Sequence, residues 1–582
     1  MEKRWVVKDL ANEEITKKLS ESLNIDEVQA NLLVQRGVKS FVEAKDFFRP
    51  SLDSLHDPFL IKDMDKAVER IERAVKAGER IMVYGDYDVD GTTAVALTYA
   101  FLRDFYDKID FYIPDRYKEG YGISLEGIDV AGKNNVKLII ALDCGIKAIK
   151  QVNYAAEKGI DFIICDHHRP GDELPNAVAV VDPKREDCTY PFKELSGCGL
   201  GFKLAQAYYQ KNRLPFEDLT KFLDLVAVSI AADIVPIMGE NRILAFYGLE
   251  RLNLYPRAGF ESILFYSNII RKSQSCEKSV FTREINIGDA VFLIGPRINA
   301  AGRIESGNAA VELLLCERMG ETHLLSQNIN NNNTERRSLD TEITRQALAM
   351  IENNPELQNS KSTVLYNSEW HKGVIGIVAS RLTEHYYRPT VILTESNGVI
   401  TGSARSVKDF DVYDAIDACS DYLDHFGGHK YAAGLSLKPE NLEAFQKAFE
   451  ETVASTITDK MLVPEIEIDA ELKLSQITPK FFRILRQFGP HGPGNMSPVF
   501  LTRGVIDKNT ARVVGQKHLK VTVSHPDEPG VSFSGIAFQQ GHHYDAVVWG
   551  KYFDIVYQIE ENEWNGTRNL QLNIKDIKTY LK

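Results

Sequence analysis

With 582 residues, the chain is too long for a single hydrophobic core and should divide into three or four domains. Its apolar fraction (44%) and charged fraction (26%) are those of an ordinary globular protein, and a net charge of −13 excludes a generally basic, DNA-coating surface while leaving room for a local basic groove. Seven cysteines, an odd number without a CxxC pair, suggest reduced thiols; with no signal-peptide region after Met-Glu-Lys-Arg-Trp and no apolar run long enough to span a bilayer, the expectation is a cytoplasmic protein free of the membrane.

Residues 1–78 read as an amphipathic helical arm. Leu32, Leu33 and Val34 lead into Arg36-Gly37, and Ala67, Ile71 and Val75 follow helical spacing. From Arg80 the pattern changes to strand and helix. The apolar run Ile81-Met82-Val83 is followed by Gly85-Asp86-Tyr87-Asp88-Val89-Asp90-Gly91 and a helix-forming run from Thr92 to Phe105. Residues two apart in an extended backbone share a side, so Asp86, Asp88 and Asp90 are expected to point at one spot. Two carboxylates about 4 Å apart repel by roughly 4 kcal/mol at an effective dielectric near 20. Such a cluster needs protons or a cation.

Four more strands follow. Ile109 to Ile113 runs into Pro114-Asp115-Arg116 and then Glu119-Gly120-Tyr121-Gly122; Val136 to Leu142 ends in Asp143-Cys144-Gly145. Asp161 to Cys165 ends in Asp166-His167-His168, and Ala177 to Val181 in Asp182-Pro183. Alternating strands and helices give a mostly parallel sheet, whose strand tips meet along one edge. Asp233, closing the apolar segment Leu225 to Ala232, is either a further ligand or a helix-end charge. Oxygen ligands with one or two imidazoles suit Mg²⁺ or Mn²⁺ rather than structural zinc. A pair of such ions is the apparatus for attack of water on a phosphate ester.

In order and spacing, GDYDVDG, LDCG, DHH and Asp233 resemble the four motifs of the DHH phosphoesterase superfamily. With Arg116 and EGYG downstream, they resemble its RecJ branch, the single-strand-specific 5′→3′ DNA exonucleases. The resemblance implies two Mn²⁺ or Mg²⁺ ions held by Asp88, Asp90, Asp143, His167 and Asp233, with Asp143 bridging and Asp86 close by. Many relatives carry a histidine where this chain has Tyr84, a poor ligand, so Asp86 is expected to compensate. Asp143, His168 and Asp90 are the expected catalytic group, with His168 free to contact the scissile phosphate or help the leaving oxygen depart.

Gly197-Cys198-Gly199-Leu200-Gly201 lacks the Gly-Lys-Ser/Thr ending of a P-loop and reads as a helix start packed beside the site. Residues 242–320 are helical in pattern. Within them Gly295 to Arg303 resembles a RecJ-type signature, placing Arg297, Asn299 and Arg303 in a phosphate-holding groove. Asn330 to Asn333 interrupts helical spacing that runs from Leu324 to Ile351, and either a long helix or a flexible linker fits. A second α/β domain follows, with Thr401-Gly402-Ser403-Ala404-Arg405-Ser406 as an anion pocket and His429 in Phe426-Gly427-Gly428-His429. The resemblance implies that Ser403 and Arg405, with Arg116 opposite, hold the 5′ end of the strand. The last part alternates as short strands at Glu465–Asp469, Lys520–Val523, Ala546–Trp549 and Asp554–Tyr557, and resembles an OB-fold in which Lys517, His518, Lys520 and Trp564 would touch DNA.

The expected fold class is α/β: a parallel-sheet DHH domain and a smaller accessory domain joined by a long helix, plus a C-terminal β-barrel of OB type. The expected boundaries are 1–78 for the arm, 79–322 for the catalytic domain with its helical extension, 323–354 for the connecting helix, 355–455 for the accessory domain and 464–582 for the barrel. The implied activity is release of 5′-mononucleotides from single-stranded DNA in repair and recombination, by a monomer with a helicase and a single-strand-binding protein as partners. The competing readings are another DHH phosphodiesterase, acting on oligoribonucleotides or cyclic dinucleotides, and a non-catalytic DNA-binding relative.

Overall fold

The computed structural model describes residues 2–273, 278–396, 398–564 and 567–580. It forms two compact units, one of His56–Val235 with Tyr247–Pro464 and one of Met1–Leu55, Pro236–Phe246 and Glu465–Lys582.

The first unit is built on a five-stranded parallel sheet in the order Ile109–Tyr112, Arg80–Gly85, Val136–Leu142, Asp161–Cys165, Ala179–Val181. The Val136–Leu142 strand is apolar at every position but Lys137 because both faces of the sheet are covered. Met82, Tyr84, Ile139, Ala141, Phe162 and Ile164, every second residue of three strands, share a core with Ile128, Ala131, Val152 and Ala155 of two helices, Leu125–Lys133 and Ile149–Glu157. The chain leaves Arg80–Gly85 for one edge of the sheet and returns to build Val136–Leu142 on the other side. The two strands therefore flank the topological switch point, where open α/β sheets bind ligands at their carboxyl ends. Asp86 and Asp143 follow these two strands directly.

Helices Val89–Arg103, Gly197–Lys211 and Leu223–Ala232 are almost wholly buried, the last ending at Asp233 as its C-cap. Leu225 to Asp233 is thus a helix and its terminal acid. Met319–Glu352 is one continuous 34-residue helix, which settles the Asn330–Asn333 stretch as helical. The accessory sheet that follows is mixed, in the order His425–His429, Ala432–Leu437, Val399–Arg405, Thr390–Ser396, Thr363–Tyr366.

In the second unit Arg4–Val7 pairs in parallel with Glu465–Ile468. Five strands, Phe500–Asp507, Phe553–Trp564, Thr567–Thr579, Ser532–Ala537 and His518–Ser524, pair in sequence, and Ile506 opposite Ser524 closes the circuit. Two expectations change here. Ala546–Trp549 is not a strand: Tyr544–Val547 is one helical turn and Trp549 sits exposed at φ +64, because so short an apolar run carries no periodicity of its own. The expected arm 1–78 also divides. Residues 1–55 join the second unit, whereas Met64–Ala77 belongs to the first, where buried Arg70 donates to Asp161 and to the Lys137 carbonyl.

Candidate active site

The helix after the first motif begins at Val89, three residues earlier than the composition of the run from Thr92 suggests. Asp88 is therefore its N-cap, accepting from the Gly91 amide at 3.0 Å, and Asp90 lies in its first turn. The three acids converge because a strand end, a cap and a helix start fold around one point. Extended alternation, the expected cause, is absent. The closing glycine of the motif is obligatory, since a Cβ on Gly91 would lie 2.4 Å from the Asp86 carbonyl oxygen.

Each acid is held differently. The Asp90 carboxylate accepts from the Gly197 amide (2.6 Å), the Cys198 amide (2.8 Å) and the Ser229 hydroxyl (2.6 Å). The GCGLG segment thus does start a helix beside the site, and that helix N-terminus also stabilises a carboxylate. A Cβ on Gly197 would come within 2.6 Å of the Asp143 Cβ. Asp143 itself adopts a left-handed φ of 57°, a conformation aspartate tolerates better than most residues. Its Oδ1 lies 3.1 Å from His167 Nε2, which is also 3.6 Å from an oxygen of Asp90 and 3.6 Å from one of Asp233. Asp86 is fully buried, with one oxygen lacking any hydrogen-bond partner in the structure.

The electrostatics follow from this crowding. Burial, then the charge of Asp88, pushes Asp86 up to about 8; burial, then Asp90 and Asp88, does the same to Asp233. Asp143 and Asp88 are also displaced upward, by burial first and the neighbouring carboxylates second. Burial lowers the pKa of His167. His168 goes the other way: burial opposes its charge, but the hydrogen bond and charge of Asp166, with Asp233 and Asp90 beyond, hold it up at about 9. Two triads bring ligand atoms within 4.8 Å of one another, Asp143–His167–His168 and Asp90–His167–Asp233; Asp86 and Asp88 join neither. Buried oxygen donors that repel one another, an orphaned carboxylate oxygen and one shared imidazole fit a hard divalent cation.

Asp166 was not among the expected site residues. One of its oxygens accepts from His168 Nδ1 at 2.7 Å and from the amides of His167 and His168; the other accepts from the Ile146 amide. Its position just before two histidines was the available signal. Ser229 was missed as well, a polar residue four positions before Asp233 in a buried apolar helix. Tyr84 is no ligand: its hydroxyl donates to the Gly122 carbonyl and accepts from the Ser124 amide, fixing the EGYG loop. That loop places the Tyr121 hydroxyl 3.3 Å from His168 Nε2.

A second constellation adjoins the first. The Arg116 guanidinium lies 4.8 Å over the ring of Tyr87, the residue between Asp86 and Asp88. Arg405 donates to the Ser403 hydroxyl (3.0 Å) and the Ala404 carbonyl, and Gly376, at the start of the helix Ile375–Tyr386, packs against both side chains. Arg303 donates to the Gly373 carbonyl. Among the described residues no acid pairs with Arg116, Arg303 or Arg405. Burial, then Arg116, Arg336 and Arg405, lowers Arg303 to about 10, and burial with Arg116 lowers Arg405 and Lys372. Lys372 and Arg336 are cations that motif reading did not find.

The remaining expected residues lie elsewhere. Arg297 is buried and spends its guanidinium on Asn330 Oδ1 (3.2 Å), the Leu293 carbonyl (2.9 Å) and the Tyr266 carbonyl (3.2 Å), so the groove role expected for it is replaced by an internal one. Asn299 is half-buried on the same helix. His429 is exposed on the edge strand of the accessory sheet and shares a cavity with His168. In the other unit Lys517 is exposed in a turn, Lys520 is half-buried, and His518 Nδ1 accepts from the Gln539 amide with its ring 5.3 Å from Phe538. The side chain of Trp564 lies outside the described residues.

Comparison with known proteins gives concordant matches. Three family models fit the chain: the DHH family N-terminal domain over residues 80–230, the DHHA1 domain over 359–455 and the RecJ OB domain over 468–576. The single-stranded-DNA-specific exonuclease RecJ of Bacillus subtilis is 36% identical over 576 residues, 98% of this chain and 70% of that protein. Crystal structures of RecJ from Thermus thermophilus in complex with Mn²⁺ and with Mg²⁺ superpose with TM-scores of 0.83 and 0.76 at 27% and 26% identity, covering all of this chain and 80% and 79% of theirs.

Proposed function

The chain belongs to the RecJ family of single-stranded-DNA-specific exonucleases, and from that premise we propose that it hydrolyses single-stranded DNA from the 5′ end, releasing 5′-mononucleotides. Asp88, Asp90, Asp143, His167 and Asp233, with Asp86 close by, would hold two divalent ions, Mn²⁺ or Mg²⁺. When bound, such ions supply the positive charge that lets water attack a phosphodiester in line. The protein's own groups do the rest. Asp90, fixed by three donors, keeps its orientation whatever occupies the site. His168, held protonated by Asp166, offers Nε2 to the scissile phosphate and then to the leaving 3′ oxygen. Arg116, Ser403 and Arg405, with Arg303 beside them, take the 5′-phosphate and set the polarity.

One observation carries this reading. Among the described residues Arg116, Arg303 and Arg405 form no ion pair, and Arg116 lies over the ring of Tyr87, between two acids of the metal cluster, so a terminal phosphate and the bond one nucleotide on can be held together. The same reading extends to a cytoplasmic monomer acting in repair and recombination beside a helicase and a single-strand-binding protein. Its support is the family resemblance, the free state of the described cysteines and the lack, among the described residues, of a helix able to cross a membrane. Lys517, His518, Lys520 and Trp564 are proposed as strand contacts of the OB domain on the same family grounds.

The test uses single-stranded DNA labelled at either end, with Mn²⁺ and Asp143→Ala as control. Mononucleotide appearing from the 5′ end alone, and absent in the control, supports the assignment. Cleavage of short RNA or cyclic dinucleotides with DNA untouched moves the protein to another DHH activity, and tight DNA binding without hydrolysis makes it a non-catalytic relative.

A further inference from the structure

Two cations beside the 5′-phosphate pocket have no part in the reaction proposed above. Lys372 just precedes the helix Ile375–Tyr386, and Arg336 reaches in from the connecting helix Met319–Glu352; both are half-buried. Arg303 donates to the Gly373 carbonyl at 2.9 Å, Arg405 to the Ser403 hydroxyl at 3.0 Å, and Arg336 to Asn333 Oδ1 at 3.0 Å. Neither these three nor Arg116 and Lys372 form an ion pair among the described residues. The buried Nε of Arg336 has no acceptor in the structure. Two acids of the surrounding elements are engaged: Asp115 takes the amides of Tyr117 and Lys118, and Asp340 pairs with Arg381 at 2.7 Å.

The cations form a row. Arg116 lies 4.8 Å over the Tyr87 ring, at the metal end. Burial first, then the charges of Arg116, Arg336 and Arg405, holds Arg303 at about 10. Beyond burial, the cations that act on Tyr87 are Arg116 and Arg303, whereas those that act on Arg336 are Arg337 and Arg381. Arg303 therefore stands between the metal end and Arg336. The helix Ile375–Tyr386 adds free amides: its N-cap Val374 offers no side-chain acceptor, and a Cβ on Gly376 would lie 2.9 Å from Ser403 Oγ and 3.1 Å from an Arg405 nitrogen.

Charge decides what such a row would hold. A terminal phosphate brings about −1.5 to −2 at pH 7, and each phosphate added in a chain brings about one more negative charge. A monophosphate on Arg116, Ser403 and Arg405 leaves Arg336 and Lys372 uncompensated, and cations withdrawn from water without a partner are costly. A triphosphate, at about −4, comes close to neutralising all five.

We propose that the pocket accepts the 5′-triphosphate of a single strand, the end left where a polymerase starts without a primer, with Arg303 and Lys372 flanking the second phosphate and Arg336 on the third. The inference rests on the proposed 5′→3′ reading and names a further substrate class for it. Water attacks the phosphorus between the first and second nucleotides, the P–O3′ bond breaks, and the 3′ oxygen leaves with a proton. The first product is a nucleoside 5′-triphosphate. The shortened strand carries an ordinary 5′-monophosphate, so every later product is a mononucleotide, and no separate removal of the end phosphates is needed.

The test gives the full chain a DNA decanucleotide bearing either a 5′-monophosphate or a 5′-triphosphate, at buffered free Mn²⁺. The wild type should degrade both and release one nucleoside triphosphate from each triphosphorylated strand. Arg336→Ala should lose about tenfold or more in kcat/KM on the triphosphorylated strand and less than about twofold on the other, the loss expected of one charged hydrogen bond. Arg336→Lys should restore most of it, and unchanged melting temperatures exclude misfolding. A readout apart from turnover is calorimetry in EDTA, where dTTP should bind about tenfold or more tighter than dTMP and Arg336→Ala should erase the difference. A triphosphorylated strand left uncut while the monophosphorylated one is degraded overturns the proposal and leaves the exonuclease reading standing; dTTP binding in that case makes the pocket a free-nucleotide site. Equal losses on both strands in Arg336→Ala overturn the assignment, as does release of pyrophosphate in place of nucleoside triphosphate. A wild-type protein that cuts neither strand overturns the exonuclease reading and the proposal with it.

Discussion

Both oxygens of Asp166 are committed, one to His168 Nδ1 and two backbone amides and the other to the Ile146 amide. It is therefore a positioning residue for His168, and Asp166→Asn should lower kcat by about 10–100-fold while Mn²⁺ affinity, read by calorimetry, changes little. A matching loss of metal affinity would make it part of the metal centre instead. The crowded acids make a second prediction, on stability. Asp86 and Asp233 are held up at about 8 by burial and by like charges, whereas in the unfolded chain an aspartate titrates near ~3.9. A carboxyl raised in the fold contributes its full stability below the unfolded pKa and loses it as pH climbs toward the folded one. Metal-free protein should therefore lose stability between about pH 4 and 8, and bound Mn²⁺ should offset the loss. The gap in melting temperature between Mn²⁺ and EDTA should be wider at about pH 8 than at about pH 6; an equal gap would refute the crowding argument. At this scale the motifs were legible because acids at strand tips of one sheet must converge. What was hidden was side-chain choice: a hydroxyl at Ser229, amides at Gly197 and Cys198, or a guanidinium such as Arg297 that turns to carbonyls leaves no mark in residue spacing.

The Met319–Glu352 helix shows how an element can be visible while its reason is not. Four consecutive asparagines are poor helix formers, and the sequence alone allowed a linker. In the structure they are contacts. Asn330 accepts from buried Arg297, Asn332 donates to Glu305 and Asn333 accepts from Arg336, while Asn331 is exposed with no such bond. Asn330→Ala should therefore cost about 1–3 kcal/mol in urea unfolding, the penalty for stranding a buried donor. Asn331→Ala, one residue away, should be neutral or stabilise by up to ~0.7 kcal/mol through propensity alone. Equal effects at the two sites would mean that propensity, not docking of Arg297, governs this stretch. Ala546–Trp549 failed for the converse reason, since alternation over four residues is too short to distinguish a strand from a turn of helix.

At the scale of the whole molecule, the unit of the OB domain is assembled from three separated pieces of chain, which local periodicity cannot reveal. An amphipathic helix announces that it has a partner and not which partner, so the arm was read as one body although its parts belong to different units. Leu32, Leu33 and Phe47 of the N-terminal segment share one core with Phe481, Phe488, Phe500 and Tyr557. Trp5 donates to Asp576, and the Arg242 guanidinium binds the carbonyls of Phe47, Phe488 and Gly489 together. Burying three large apolar side chains contributes about 1.5–3 kcal/mol each, roughly 5–9 in all, against a net stability of about 5–15 kcal/mol for a typical domain. Deleting residues 1–55 should therefore unfold the C-terminal domain rather than merely trim it. Limited proteolysis of the truncated chain should cut rapidly within 465–582 and spare 56–235, and calorimetry should still register Mn²⁺ binding, because every proposed ligand lies in the other unit. If 465–582 stayed resistant, the N-terminal segment would be a dispensable cover. If Mn²⁺ binding vanished as well, the two units would depend on each other for their folding, and a loss of nuclease activity on truncation would then report on the metal centre rather than on strand capture by the OB domain.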